Sequence, residues 1–205
     1  MDGNRPARVY TMRVRADALA RTRRGIVWHA ADRLRESPEP VTLVEIATAA
    51  GVSRTTVYRH FRSINGLLDA VATDLLSRAR FDQLLAAVSL PEPIAALAEV
   101  IRLGCGIWAV DPDLVRNLFA LARAQADAVP VIEQLEAGRV QVMERLVQRL
   151  DDAGALAAGL SRRDAVDLLV AATGFAGWDQ IATTRRRSPA TATQLIVRMA
   201  VRAVT

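Results

Sequence analysis

Two short helices written back to back between Thr42 and His60 constrain this chain more than any other feature. Thr42 stands as an N-cap with Glu45 three residues on, the spacing of a capping box, and Leu43, Ile46, Ala47 and Ala50 give the helix a buried stripe. Gly51 closes it, because the turn that follows requires a residue tolerant of positive φ. Ser53 then caps a second helix running through His60. Helices that cross steeply must approach closely, so a small side chain, Ala47, is wanted at the crossing, while Ile46, Ala50, Val52 and Val57 point inward to hold the pair rigid. The free face of the second helix carries Arg54, Thr55, Thr56, Tyr58, Arg59 and His60, donors suited to base edges and phosphates. This is the order of a helix-turn-helix.

Helical spacing continues on both sides. Residues 1–20 mix Arg, Gly, Pro and isolated apolar residues without a period, which reads as a flexible basic arm. Ile26, Val27, Ala30, Ala31 and Leu34 then define a first helix from Arg21, ended by Pro38 and Pro40. Ser63 caps a fourth helix running toward Phe81. Beyond Pro91 and Pro93 the pattern predicts longer helices over 93–109, 112–127, 130–152, 162–184 and 189–203. Asp111-Pro112 and Ser188-Pro189 mark starts, while Gly154 and Gly159 mark an end and a loop. With no strand-like alternation, the expectation is an all-α chain of about nine helices: a three-helix helix-turn-helix unit followed by a helical bundle. The corresponding division is an arm over 1–20, a helix-turn-helix domain over 21–80 and a helical bundle over 81–205, which the resemblance described below makes DNA-binding and effector-binding and dimerisation domains respectively.

Charge agrees with that division. Residues 1–62 hold 12 arginines against 6 acidic residues, whereas residues 63–205 hold 15 against 16, so the net charge of +5 originates in the first third. Phosphate neutralisation supplies most sequence-independent affinity for DNA, so this end is expected to meet nucleic acid. The small knot Arg185-Arg186-Arg187 reads as a solvated loop.

The stretch Ile46-Ala47-Thr48-Ala49-Ala50-Gly51-Val52-Ser53-Arg54-Thr55-Thr56-Val57-Tyr58-Arg59-His60-Phe61, followed by Leu67-Leu68, resembles the second, third and early fourth helices of the tetracycline-repressor (TetR) family. The match covers roughly residues 21–70; beyond it only the succession of helices is similar. The resemblance implies a homodimeric transcriptional regulator, a repressor that a small apolar or amphipathic effector releases from a double-stranded operator. The alternatives are an activator, or a protein-interaction adaptor without ligand-controlled repression. It makes Arg54, Thr55 and Arg59 candidates for base contacts, with Ser53, Thr56, Tyr58 and His60 nearer the phosphates. One position departs from the family: Ile64 stands where a phosphate-gripping lysine is usual. Asn65 and the helix N-terminus are the available substitutes.

Similar regulators bind effectors inside the helical bundle, which makes Cys105, Trp108, Phe119, Met143, Phe175 and Trp178 candidates for a pocket, with core packing as the competing role. Gly104 and Gly106 flank Cys105 and admit a bulky neighbour, a kink or a ligand beside that helix. Small residues such as Ala171 and Gly174, with Trp178, Leu195 and Met199, suit a two-fold interface between the last two helices. Other classes fare poorly. Two histidines, His29 and His60, and one cysteine without clustered carboxylates make no convincing metal site. The sequence offers no Ser-His-Asp order, phosphate-cradling loop or nucleophile elbow, so neither an enzyme nor a cofactor is expected. No run of eighteen uninterrupted apolar residues occurs, the richest stretch being read at 164–178, and the opening residues lack a signal-peptide core. The expected location is the cytoplasm, away from membranes.

Overall fold

Capping side chains set the early helix boundaries. The computed structural model describes residues 5–124 and 129–205, and every regular element among them is helical. The order is α1 (Arg5–Glu36), α2 (Leu43–Ala49), α3 (Arg54–Phe61), α4 (Ile64–Arg78), α5 (Phe81–Ala87), α6 (Pro93–Val110), α7 (Pro112–Ala124), α8 (Val129–Asp152), α9 (Arg162–Thr173), α10 (Phe175–Asp179), a π-helical turn (Gln180–Thr184) and α11 (Pro189–Val204). The Thr42 hydroxyl accepts from the Glu45 amide while the Glu45 carboxylate accepts from the Thr42 amide, a complete capping box. Ser53 caps α3, Ser63 caps α4 and Ser188 caps α11, each hydroxyl accepting from the amide three residues on.

Helices α2 and α3 pack together, backed by α1 and α4. The first turn of α4 rides so close to the end of α3 that a Cβ on Gly66 would stand 2.2 Å from the Phe61 carbonyl oxygen. The rest forms a bundle with α6 at its centre, packed against α5, α8 and α11. By length and composition α6, over Pro93–Val110, could cross a membrane, and it rather than 164–178 is the richest apolar stretch. Here it buries Ala96, Leu97, Val100, Ile101, Cys105, Ile107 and Trp108 in the common core.

Several boundaries differ from expectation. The arm expected over 1–20 is helical from Arg5: no proline stands between Pro6, tolerated in a first turn, and Pro38, Ala and Arg are the commonest residues there, and propensity needs no apolar face. Residues 1–4 lie outside the described residues, as do 125–127 at the expected end of α7. The helix expected to reach Phe81 ends at Arg78, where Arg80 takes a left-handed conformation (φ 56°); α5 follows and buries Leu84 and Ala87. The single helix expected over 162–184 breaks at Gly174, which is extended (φ −66°, ψ 155°). Carbonyls released there find distant donors: Arg139 Nη1 donates to the Val170 oxygen at 2.7 Å, and Trp108 Nε1 donates to the Thr173 oxygen at 3.2 Å.

A buried carboxylate joins the two halves. Asp111, at the corner between α6 and α7, accepts from Arg35 Nε of α1 at 2.9 Å and from Arg78 Nη2 of α4 at 3.3 Å. Beside it, Asn117 donates to the carbonyls of Leu34 and Arg35 at the end of α1. Urea unfolding should show Asp111→Asn less stable by about 2 kcal/mol, because two guanidinium groups lose a charged acceptor. Gly66→Ala should cost about 2–3 kcal/mol through its backbone clash. Gly174→Ala should stay within about 0.5 kcal/mol, since its conformation suits any residue and a Cβ there meets nothing nearer than 3.7 Å.

Candidate nucleic-acid interface and internal cavity

The turn before α3 is closed by its own backbone. Gly51 takes φ 64°, its amide donates to the Thr48 oxygen, and the Val52 amide donates back to the Ala47 oxygen at 3.0 Å. This double closure is a Schellman motif, and it fixes the direction in which the chain enters α3. Ala47 is buried at the crossing, as are Ile46 of α2 and Val57 and Phe61 of α3. The opposite face is open: Ser53, Arg54, Thr55, Tyr58 and Arg59 are exposed, Tyr58 at 60%. Thr56 is half-buried; its amide donates to Ser53 Oγ at 3.1 Å, and its hydroxyl shares a hydrogen bond with the same oxygen.

His60 is held differently from its neighbours. It is half-buried, with Nε2 enclosed and lacking a hydrogen-bond partner among the described residues. Burial lowers its pKa first, and the cations Arg59 and Arg23 lower it further. Arg23 of α1 also lies 4.9 Å above the Phe61 ring. At the start of α4, Ile64 and Asn65 are half-buried and the Asn65 Oδ1 is enclosed without a partner, while the Ser63 hydroxyl is engaged by the Gly66 amide.

Inside the bundle, α4 to α9 enclose a cavity of about 470 Å³. Of the six candidate pocket residues, Cys105, Trp108, Phe119 and Met143 line it. Phe175 and Trp178 stand behind that wall: Phe175 stacks on Phe119 with centroids 5.7 Å apart and meets the Trp108 ring edge-on at 5.8 Å, and Trp178 stacks on Phe175. Burial pushes the Cys105 thiol up to about 12, against an opposing hydrogen bond with Thr193. Gly104 lines the cavity too; Gly106 does not. Among its other lining residues, Leu75 and Leu76 of α4, Phe81 and Leu84 of α5, and Gln134, Arg139, Gln141 and Thr173 were not singled out by sequence. Only long-range packing brings them together, and the Arg139–Glu136 spacing reads as an ordinary surface ion pair.

The five residues considered for a two-fold interface are placed unequally. Ala171 and Met199 are exposed, Leu195 and Gly174 are half-buried, and Trp178 points inward, its Nε1 donating to the Thr193 hydroxyl at 3.3 Å. Leu168, 43% exposed, adds to the outer face of α9, which packs directly on α11. Among the described residues, no cluster of metal-ligating side chains occurs.

A helix-turn-helix on a helical bundle is the architecture of a bacterial transcriptional regulator. Residues 35–71 match the family model "Bacterial regulatory proteins, tetR family". No curated protein sequence matches the chain. Solved structures share its fold at low identity. A TetR transcription regulator from Haloarcula marismortui is 18% identical with a TM-score of 0.68, the alignment covering 91% of this chain and 100% of that one. NalD, the secondary repressor of the MexAB-OprM multidrug efflux pump in Pseudomonas aeruginosa, is 22% identical with a TM-score of 0.69, covering 92% and 98%. A complex of SmeT with triclosan is 19% identical with a TM-score of 0.67, covering 90% and 91%. The resemblance read from the sequence therefore holds: residues 35–71 match the tetR family model, and the chain shares the fold of solved regulators of that family.

Two measurements follow from these environments. Native protein should resist thiol alkylation at Cys105 at pH 8, whereas urea-unfolded protein should react fully; rapid native reaction would contradict the burial. For His60 the folded pKa lies below the unfolded value near 6.5. The unfolded chain therefore takes up the proton first, and stability falls as pH drops through 6.5 toward the folded pKa. The decline in melting temperature between pH 7.5 and 5.5 should be shallower in His60→Gln than in wild type.

Proposed function

We propose that this chain is a homodimeric DNA-binding repressor that a small apolar effector releases from its operator. The carrying observation is the open face of α3, on a helix whose inner face is locked; it supports Arg54, Thr55 and Arg59 as base contacts, with Ser53, Thr56, Tyr58 and His60 toward the phosphates. In this reading residues 21–80 are the DNA-binding domain, extended by the helical N-terminus, and 81–205 bind effector and dimerise. Leu168 and Ala171 of α9 with Leu195 and Met199 of α11 supply the two-fold face. The protein acts in the cytoplasm, without catalysis or a cofactor.

The cavity and the triclosan complex of the similar SmeT support an effector. Helix α4 offers the means of coupling, because Leu75 and Leu76 line the cavity while the same helix packs on α1 and α3. An effector that prefers the non-operator spacing of two α3 helices by a few kcal/mol is enough to release DNA. The adaptor reading draws on Ile64, which leaves the start of α4 without its usual cation.

The test is fluorescence anisotropy with the DNA upstream of the chain's own gene. Wild type should bind it at least tenfold more tightly than random duplex, with affinity falling steeply with salt, and Arg54→Ala and Tyr58→Ala should each lose at least tenfold. Absence of preference over random DNA, together with a flat salt dependence, would support the adaptor. Sedimentation at micromolar concentration should give a dimer, and Met199→Arg should shift it toward monomer.

A further inference from the structure

The cavity's lining is apolar apart from the exposed amides of Gln134 and Gln141 and one end, where α9 breaks, at Arg139 and Thr173. Among the described residues, Arg139 is the single charged side chain on its surface. Its guanidinium is already committed. Nη1 donates to the Val170 carbonyl at 2.7 Å and to the Thr173 hydroxyl at 3.2 Å, closing the broken end of α9. On its other side, Nε and Nη2 both engage the Glu136 carboxylate, one turn earlier on α8. Glu136 does not line the cavity, yet it neutralises the one cation that does. Cys105 adds no charge, since burial holds it as a thiol.

We propose that Glu136, acting through Arg139, makes the cavity selective for uncharged apolar ligands and closes it to carboxylates; this rests on the reading of the cavity as an effector site. A carboxylate entering beside Arg139 would have to displace Glu136 or remain without a cationic partner among mostly apolar walls, and a buried charge without one is strongly disfavoured. An organic cation finds no anion on the wall among the described residues. A neutral ring system fits the surface of Trp108 and Phe119, and the volume is that of a small aromatic molecule's site. The polar end then offers at most a hydrogen bond to a hydroxyl or carbonyl.

The experiment compares 2-naphthol with 2-naphthoate, one ring system in neutral and anionic form, by calorimetric titration at pH 7. Three proteins are used: wild type, Glu136→Gln, and Gly138→Leu. Glu136 is a partly exposed side chain whose amide variant leaves the Arg139 bonds to Val170 and Thr173 in place. Gly138 lines the cavity, and a Cβ built on it meets nothing within 4 Å, so a larger side chain can start there without meeting the backbone. Wild type should bind the naphthol at least tenfold more tightly than the naphthoate. Glu136→Gln should raise naphthoate affinity at least tenfold and leave naphthol within twofold, and Gly138→Leu should weaken naphthol at least tenfold at an unchanged melting temperature. The change in ratio decides, because a neutral ring partitions more readily into any apolar site. Equal ratios in wild type and Glu136→Gln would overturn the role of Glu136 while leaving the cavity a ligand site. Absence of binding by either probe to wild type and to Glu136→Gln would overturn the effector reading and this inference with it.

Discussion

The two halves of the molecule are held in register by one carboxylate. Asp111 sits where α6 turns into α7, and the guanidinium groups it accepts come from the last turns of α1 and α4, the two helices that back the helix-turn-helix. An anion at that corner, only 9% exposed, is tolerated because two cations meet it there. An ion pair with directed hydrogen bonds adds one fixed alignment to the apolar packing between the helices. Asn117 adds the same service to the Leu34 and Arg35 carbonyls, so α1 ends on α7 with its terminal acceptors satisfied.

What sequence made legible is what depends on near neighbours. The capping box at Thr42–Glu45, the caps at Ser53, Ser63 and Ser188, and the turn at Gly51 are all decided within four residues, and each stands where the pattern puts it. The break at Gly174 was not legible, because glycine alone does not impose it. Its released carbonyls are taken by Trp108 and Arg139, which lie 65 and 31 residues away from their acceptors. The helical N-terminus escaped for a different reason. Residues 5–20 carry no apolar stripe for periodicity to detect, and intrinsic propensity is a weaker signal than burial.

The candidate sites divide along the same line. The α3 face is legible in the sequence because consecutive residues on one short helix define both its buried and its open side. The cavity is legible only in part. Its aromatic members announce themselves by size, but whether an aromatic lines a cavity or backs the wall, as Phe119 and Phe175 do respectively, depends on packing between four helices. Its polar end was less legible still: Glu136 and Arg139, three apart on a helix, look like a solvated pair until the end of α9 is laid across them.

These placements bear on how an effector and DNA could sense each other. Leu75, on the cavity wall, and Arg78, in the Asp111 joint, occupy the same turn of α4. A ligand that shifts that turn acts simultaneously on the apolar contact and on the ion pair, since a helical turn moves as a unit through its own hydrogen bonds. Allosteric coupling typically amounts to about 1–3 kcal/mol, and a single hydrogen bond to a charged group is worth about 1.5–3 kcal/mol. Lengthening or tightening the one bond between Arg78 and Asp111 is therefore of the size that ligand control requires. Under the proposed function no contiguous chain of rearranged residues is needed, only an α4 with two positions that an effector and DNA prefer unequally.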